Sequence, residues 1–316
     1  MKKIILAFTF LISLNAITAQ EITLKGKVTS KQTKKVLAFT AVTVHNAETN
    51  TFINYGYTDE NGNYSISFKK VPFFIKAELL GYKDYKSEKV EPTKTTIIKN
   101  IFLEEDAAEL DEVVISHKYE NRIFKIQPYS KKDLYGGFGI SKKPWQIGLY
   151  FPYDSAYYKT EYIQKIAILL NKGLGYKRKV SKFRVRLFSV TQDSLPDKDL
   201  IKENIIVTAL KKQKEVNINL AAYNIVFPKN GVYVMFEGLA IPFNEVERSY
   251  TMTGIDGKKS KVKKETAYVP NFKAFLGESG KFLVVHYSDG KWFKFPVPHD
   301  KGKKYFVPAI SLTLSN

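Results

Sequence analysis

Apolar and polar residues alternate with a period of two through most of the chain, the spacing of strands that bury one face and wet the other. In the first such run Ile22, Leu24, Gly26 and Val28 share one face, with Thr23, Lys25 and Lys27 on the other; Val42 and Val44 repeat the pattern before Asn46. A turn at Asp59-Glu60-Asn61-Gly62-Asn63 is predicted to close a tight hairpin between strands 52–58 and 64–68, with Asn61-Gly62 supplying the positive φ. Calcium liganding by Asp59, Glu60 and Asn61 is the sharper alternative, but the spacing and distal glutamate of an EF-hand are missing. Further strands are predicted at 146–151, 162–170, 183–190, 204–208, 216–220, 231–237, 268–275, 282–287, 292–297 and 309–314. The expectation is an all-β protein: a seven-strand sandwich followed by a second β-sandwich or jelly roll.

Ahead of the first strand the pattern changes. Lys2 and Lys3 precede an apolar stretch, 4–14, and then small residues, Ala16-Ile17-Thr18-Ala19, before Gln20. This predicts a cleaved signal peptide over 1–20 and an exported protein, in the periplasm, at the outer membrane or secreted. The apolar run is shorter than the roughly 20 residues of a spanning helix. With no cysteine in the chain there is no lipobox, disulfide or thiolate metal site.

A chain of 316 residues, 44% apolar and 14% aromatic, can build two cores. The predicted division is 21–103, an acidic linker over 104–118, and a second domain over 119–316. Charge separates them. Residues 21–116 carry 13 lysines and no arginine against 14 acids, net −1, whereas 117–316 carry 35 basic residues against 17 acids, net +18. Such a field concentrates anionic partners. An acidic polysaccharide or lipopolysaccharide is the expected ligand class, and nucleic acid is not an expected partner.

Three motifs carry a family likeness: Gly26-Lys27-Val28, the run from Thr58 to Tyr64, and Leu80-Gly81-Tyr82, followed by an acidic stretch and Val113-Val114-Ile115. Together they resemble the carboxypeptidase regulatory-like (transthyretin-like) domain of exported Bacteroidetes proteins, which often precedes a TonB-dependent receptor. The resemblance covers about a quarter of the chain, and the family's name imports no peptidase chemistry. Leu110 to Ile115 is similar to the run that joins this domain to a receptor plug, yet only about 200 residues follow. That is too few for a plug and a 22-stranded barrel of about 9–11 residues per strand. Val113 to Ile115 reads either as a linker or first strand of the next domain, or as a strand offered to a partner's sheet. The second half resembles jelly-roll modules of flavobacterial exported proteins, some similar to carbohydrate-binding modules.

Catalytic signatures are absent from the sequence. His45, His117, His286 and His299 lack metal-site spacing, and no G-x-S-x-G elbow occurs. Asp197 and Asp199, beside Pro196, read as a solvated loop, and Gly136-Gly137-Phe138-Gly139 as a flexible connection rather than a phosphate loop. No enzyme, cofactor or metal is expected. Two constellations suit binding. Lys177, Arg178, Lys179 and Lys182 adjoin Arg184 and Arg186, which alternation turns outward from Phe183, Val185 and Leu187; arginine forks match carboxylate, sulfate or phosphate. Trp145, Tyr150, Tyr153, Tyr157, Tyr158 and Trp292 offer flat faces for sugar rings. Lysines 258, 259, 261, 263 and 264 sit in a polar insertion after Ile241. The expected function is an exported, non-enzymatic protein that binds an anionic glycan or envelope component, with Trp145 and Trp292 exposed together in a groove lined by Arg184 and Arg186. The alternative is an interaction module docking on an outer-membrane or TonB-dependent receptor complex.

Overall fold

A computed structural model describes residues 21–106, 122–140, 145–172, 179–251, 263–288, 291–294 and 297–316. Residues 1–20, expected as a signal peptide, and Lys177, Arg178, His117 and Val113 to Ile115 lie outside the described residues. The fold is all-β, its helical segments single turns, and among the described residues no helix is long and apolar enough to cross a membrane. The chain divides into two compact units: one runs to Ala77 and adds Asp84–Leu103, the other comprises Glu78–Lys83 and Glu104–Asn316.

The first unit holds β1 (Glu21–Ser30), β2 (Ala41–Asn46), β3 (Phe52–Tyr57), β4 (Asn63–Lys69), β5 (Phe73–Glu78), β6 (Tyr85–Lys86), β7 (Thr96–Ile98) and β8 (Ile101–Leu103). One sheet has the order β4-β1-β7 with β8 also on β1; the other is β3-β2-β5-β6. Both β7 and β8 run parallel to β1, so they form one strand interrupted at Lys99-Asn100, and the sandwich has the seven strands expected. Gly26 stands at the interruption, where a Cβ would lie 1.9 Å from the Lys99 carbonyl oxygen. That oxygen accepts the Tyr64 hydroxyl at 2.6 Å. Ile22, Leu24, Val28, Val42, Val44, Ile66 and Phe73 fill the core as the alternation requires.

The Asp59 turn departs from the expected hairpin. Its two flanking strands, β3 and β4, belong to different sheets, so the turn carries the chain across the sandwich. Asp59 Oδ1 accepts the N–H groups of Asn61 and Asn63 at 2.9 and 2.8 Å, Gly62 takes φ +76°, and the Gly62 carbonyl accepts Val28 N–H at 2.8 Å. The carboxylate is occupied by backbone donors, as a turn residue's would be.

The second unit comprises β9 (Ile123–Ile126), β10 (Leu134–Phe138), β11 (Trp145–Phe151), β12 (Tyr162–Asn171), β13 (Ser181–Val190), β14 (Pro196–Asp199), β15 (Ile205–Ala209), β16 (Glu215–Asn219), β17 (Val232–Gly238), β18 (Glu245–Tyr250), β19 (Lys263–Tyr268), β20 (Asn271–Glu278), β21 (Val284–Ser288), β22 (Lys291–Lys294), β23 (Val297–His299), β24 (Lys304–Pro308) and β25 (Ile310–Ser315). An eight-stranded sheet has the order β23-β24-β20-β12-β25-β9, with β10 on β20 and β16 on β12. A seven-stranded sheet has the order β14-β13-β17-β11-β21-β22, with β15 on β13. Ile147, Phe183, Val185, Val234 and Phe236 of one sheet meet Ile166, Phe272, Leu312 and Leu314 of the other in one core, with the Phe236 and Phe272 rings stacked at 3.7 Å. Each such side chain contributes about 1.5–3 kcal/mol on burial.

Two loop expectations are corrected here. Gly136 and Gly137 belong to a strand, β10: Gly137 packs where a Cβ would meet the Phe272 carbonyl oxygen at 2.3 Å, so glycine lets this bulged strand close on β20. Asp199 lies in β14 rather than in a solvated loop. At the start of the acidic stretch Lys83 Nζ lies 2.8 Å from Glu104 Oε1, and Asp106 N–H donates to the Gly81 carbonyl.

Candidate functional site

The expected arginine site is occupied by the protein's own carboxylates. Arg184 is 4% exposed, and its Nη1 reaches both oxygens of Glu237, itself 4% exposed, at 2.8 Å. Cross-strand register puts the two directly opposite on β13 and β17, and Asn204 Oδ1 accepts from Arg184 Nε. Arg186 Nε and Nη2 donate to the two oxygens of Asp199 at 2.9 and 2.5 Å, and its guanidinium lies 4.6 Å from the centre of the Phe188 ring. Burial pulls the Arg186 pKa down, but the Asp199 hydrogen bond and charge more than offset it. Phe183, Val185 and Leu187 do point into the core. The arginines do occupy the opposite face, but that face is covered.

The tryptophans are also separated. Trp145 is buried against Phe236 in the core between the sheets, ring centroids 6.0 Å apart. Trp292 belongs instead to a second, smaller cluster with Phe188, Tyr233, Met235 and Val285, where its ring meets Phe188 edge-on at 5.4 Å. Strand parity explains this: Ile147 and Leu149 carry Trp145 inward, whereas Trp292 pairs across the hairpin with Tyr287, opposite Gln146. Trp145 and Trp292 therefore do not share a groove lined by Arg184 and Arg186. Lys179 lies apart from both, its Nζ donating to the Glu245 carbonyl at 3.0 Å. Lys263 and Lys264 fall in β19, and the other lysines of that insertion lie outside the described residues.

The described residues instead form an open trough of about 480 Å³ on the outer face of the eight-stranded sheet, where Ile123, Ala167 and Ala221 lie among polar side chains. Four adjacent strands build it. One row across the sheet reads Lys125, Thr313, Lys165, Asn219, and the next reads Ser311, Ala167, Asn217. The floor residues Ser311, Thr313 and Ala167 are small, and all three are buried although they point away from the core. The longer Lys125, Glu215, Asn217 and Asn219 line the more exposed strands beside them. A register shift between Ile163 and Lys165 brings Gln164 into the lining, as bulges re-aim side chains. Tyr129 hydrogen-bonds Ser311; burial, with the Glu215 charge adding to it, holds this phenol above its usual pKa. Farther along β25 the Ser315 Oγ is buried without a hydrogen-bond partner.

This lining favours hydrogen bonding over stacking. Carboxamides offer a donor and an acceptor side by side, hydroxyls offer either, and the two lysines supply positive charge. The lining contains no ring. Among the described residues no group of three or more His, Cys, Asp or Glu side chains is placed to hold a metal. Sequence reasoning passed over these residues, although a signal existed: Glu215, Asn217 and Asn219, and likewise Ser311, Thr313 and Ser315, are polar at every second position between buried apolar residues. An ordinary wet sheet face reads the same way.

Residues 24–115 match the CarboxypepD_reg-like domain family. The regulatory-like domain therefore takes in nearly all of the first unit, and its match continues through the acidic stretch to Ile115. No curated protein matches the chain. Among solved structures, it is similar to a Bacteroides uniformis protein provisionally described as carbohydrate binding, at 9% identity over 78% of this chain and 99% of that one, TM-score 0.23. It is similar to a DUF3823 family protein of Parabacteroides merdae, at 11% identity over 81% and 98%, TM-score 0.21. A third likeness is to BcpA, the major pilin subunit of Bacillus cereus, at 10% identity over 92% and 95%, TM-score 0.21. Superposition at this level identifies neither a shared site nor a ligand.

Proposed function

We propose that this is an exported, non-enzymatic binding protein whose second unit takes an acidic glycan along the trough of the eight-stranded sheet. The observation that carries the reading is the trough: small buried hydroxyls in its floor, amides and Lys125 and Lys165 in its lining. Hydroxyls of a sugar chain meet amides and hydroxyls of matched donor and acceptor character, and its carboxylate or sulfate groups meet the lysines. The net charge of +18 over residues 117–316 draws such a polymer in from a distance.

The test is binding of the whole chain to a uronic-acid polymer, with neutral dextran as the comparison. Affinity for the acidic polymer should fall steeply with salt, since screening shortens the field to about 10 Å at 0.1 M. Asn217→Ala combined with Asn219→Ala leaves the charge unchanged and should weaken binding by about tenfold, consistent with two lost hydrogen bonds. An unchanged affinity in that variant, with folding intact, would remove the trough as the site and leave only diffuse attraction.

A further inference from the structure

A different part of the second unit combines protruding apolar side chains with lysines. Leu210 is 61% exposed, Phe243 44% and Val180 38%. Ser181 pairs with Ala209, so Val180 and Leu210 follow directly where β13 and β15 meet. Lys172, Lys179 and Lys211 share a small depression with Leu210, and Lys179 and Lys182 hold their Nζ atoms 5.7 and 5.2 Å from the centre of the Phe243 ring. The apolar tips and the lysines therefore form one continuous surface.

Both protruding loops are pinned. Asn244 is fully buried: its Oδ1 accepts Lys182 N–H at 2.8 Å, and its Nδ2 donates to the Lys182 and Leu239 carbonyls at 2.6 and 2.8 Å. This fixes the single turn Pro242–Asn244 that carries Phe243. Leu210 N–H donates to Gln213 Oε1 at 2.9 Å while Gln213 N–H returns to the Leu210 carbonyl at 3.1 Å. Large apolar groups held outward by built hydrogen bonds, and ringed by lysines, match an interface with apolar chains beneath and negative charge at its surface.

We propose that this end of the second unit docks on an anionic lipid bilayer, with Leu210, Phe243 and Val180 entering the headgroup region and Lys172, Lys179, Lys182 and Lys211 on lipid phosphates. The surface is separate from the trough and does not depend on it. Charge complementarity decides for a lipid surface over a second copy of this chain, since the same lysines on two copies would face one another.

The experiment is co-sedimentation of the full chain with phosphatidylcholine vesicles, with and without phosphatidylglycerol. Binding is expected only with the anionic lipid. Leu210→Ser with Phe243→Ser keeps the charge and should lower vesicle affinity by about tenfold. Lys179→Gln with Lys182→Gln should lower it by about fivefold per lysine and flatten its salt dependence. A matched loss of two charges in the trough, Lys125→Gln with Lys165→Gln, should leave most vesicle binding in place. An unchanged thermal midpoint in each variant keeps folding out of the result. Equal vesicle binding by the serine variant and the native chain would overturn the proposal. So would competition by soluble glycerophosphate alone, or self-association that the serine variant abolishes without any affinity for vesicles.

Discussion

The two large sheets of the second unit, beside the β18-β19 ribbon, use their outer faces in opposite ways. On the seven-stranded sheet, rings and Met235 cover the surface, and the arginines there are matched one to one by Glu237 and Asp199. On the eight-stranded sheet the corresponding surface is a trough of amides, hydroxyls and lysines. The face whose residues most suggest recognition of anions is closed by its own carboxylates, and the plainer one is open. Arginine and tryptophan mark strong interactions, but their partner can be the same chain.

Breaking the covered face should produce the largest effect. Glu237→Ala leaves the Arg184 guanidinium buried without its fork partner, and should cost about 3–5 kcal/mol in denaturant unfolding. Replacing the pair together, Arg184→Met with Glu237→Leu, should be neutral or stabilising, because the desolvation penalty leaves with the attraction. A large loss in the double variant would mean that the pair does more than neutralise itself. The next effect in size is expected at Gly148 on the same face. A Cβ there would lie 2.6 Å from Met235 Cγ, so Gly148→Ala should cost about 1–3 kcal/mol by overpacking.

The trough should respond the other way round. Thr313→Val keeps the shape of the floor and should change stability by less than about 1 kcal/mol, yet weaken an acidic glycan by about fivefold through one lost hydrogen bond. Calorimetric titration with the uronic-acid polymer would read this, and a stability loss without a binding loss would make Thr313 structural. The smallest effect concerns alkali. Because burial, helped by the Glu215 charge and opposed by the Ser311 hydrogen bond, holds the Tyr129 phenol above its usual value, its contribution is complete below pH 10 and is lost as pH rises through the higher folded value. The unfolding midpoint should therefore be level through neutral pH and fall in strong base, less so in Tyr129→Phe.

What could be read from the sequence was the local pattern; what could not was which strands become neighbours. Alternation placed Phe183, Val185 and Leu187 in the core correctly, and Gly26 and Gly62 marked real backbone requirements. It could not show that Glu237 stands opposite Arg184, because those residues are 53 positions apart and register is a property of the folded sheet. For the same reason the Asp59 turn, locally shaped like a hairpin, spans two sheets. The expected run 268–275 is divided at Val269-Pro270, where β19 leaves its ribbon with β18 and β20 joins the eight-stranded sheet. The trough drew no attention because four separate strands contribute to it, and no one of them carries an unusual residue.

The parallel pairing of β7 and β8 with β1 has a mechanical side. Because the first and last strands of the regulatory-like domain point the same way, a pull between their outer ends loads this ladder lengthwise. Contacts from Thr23 to the Lys31 N–H, which donates to the Leu103 carbonyl at 2.7 Å, must slide together instead of unzipping one at a time. The Tyr64 hydroxyl on the Lys99 carbonyl adds a cross-tie midway. In this geometry the ladder of the small sandwich would be loaded in shear, its hydrogen bonds sharing the force.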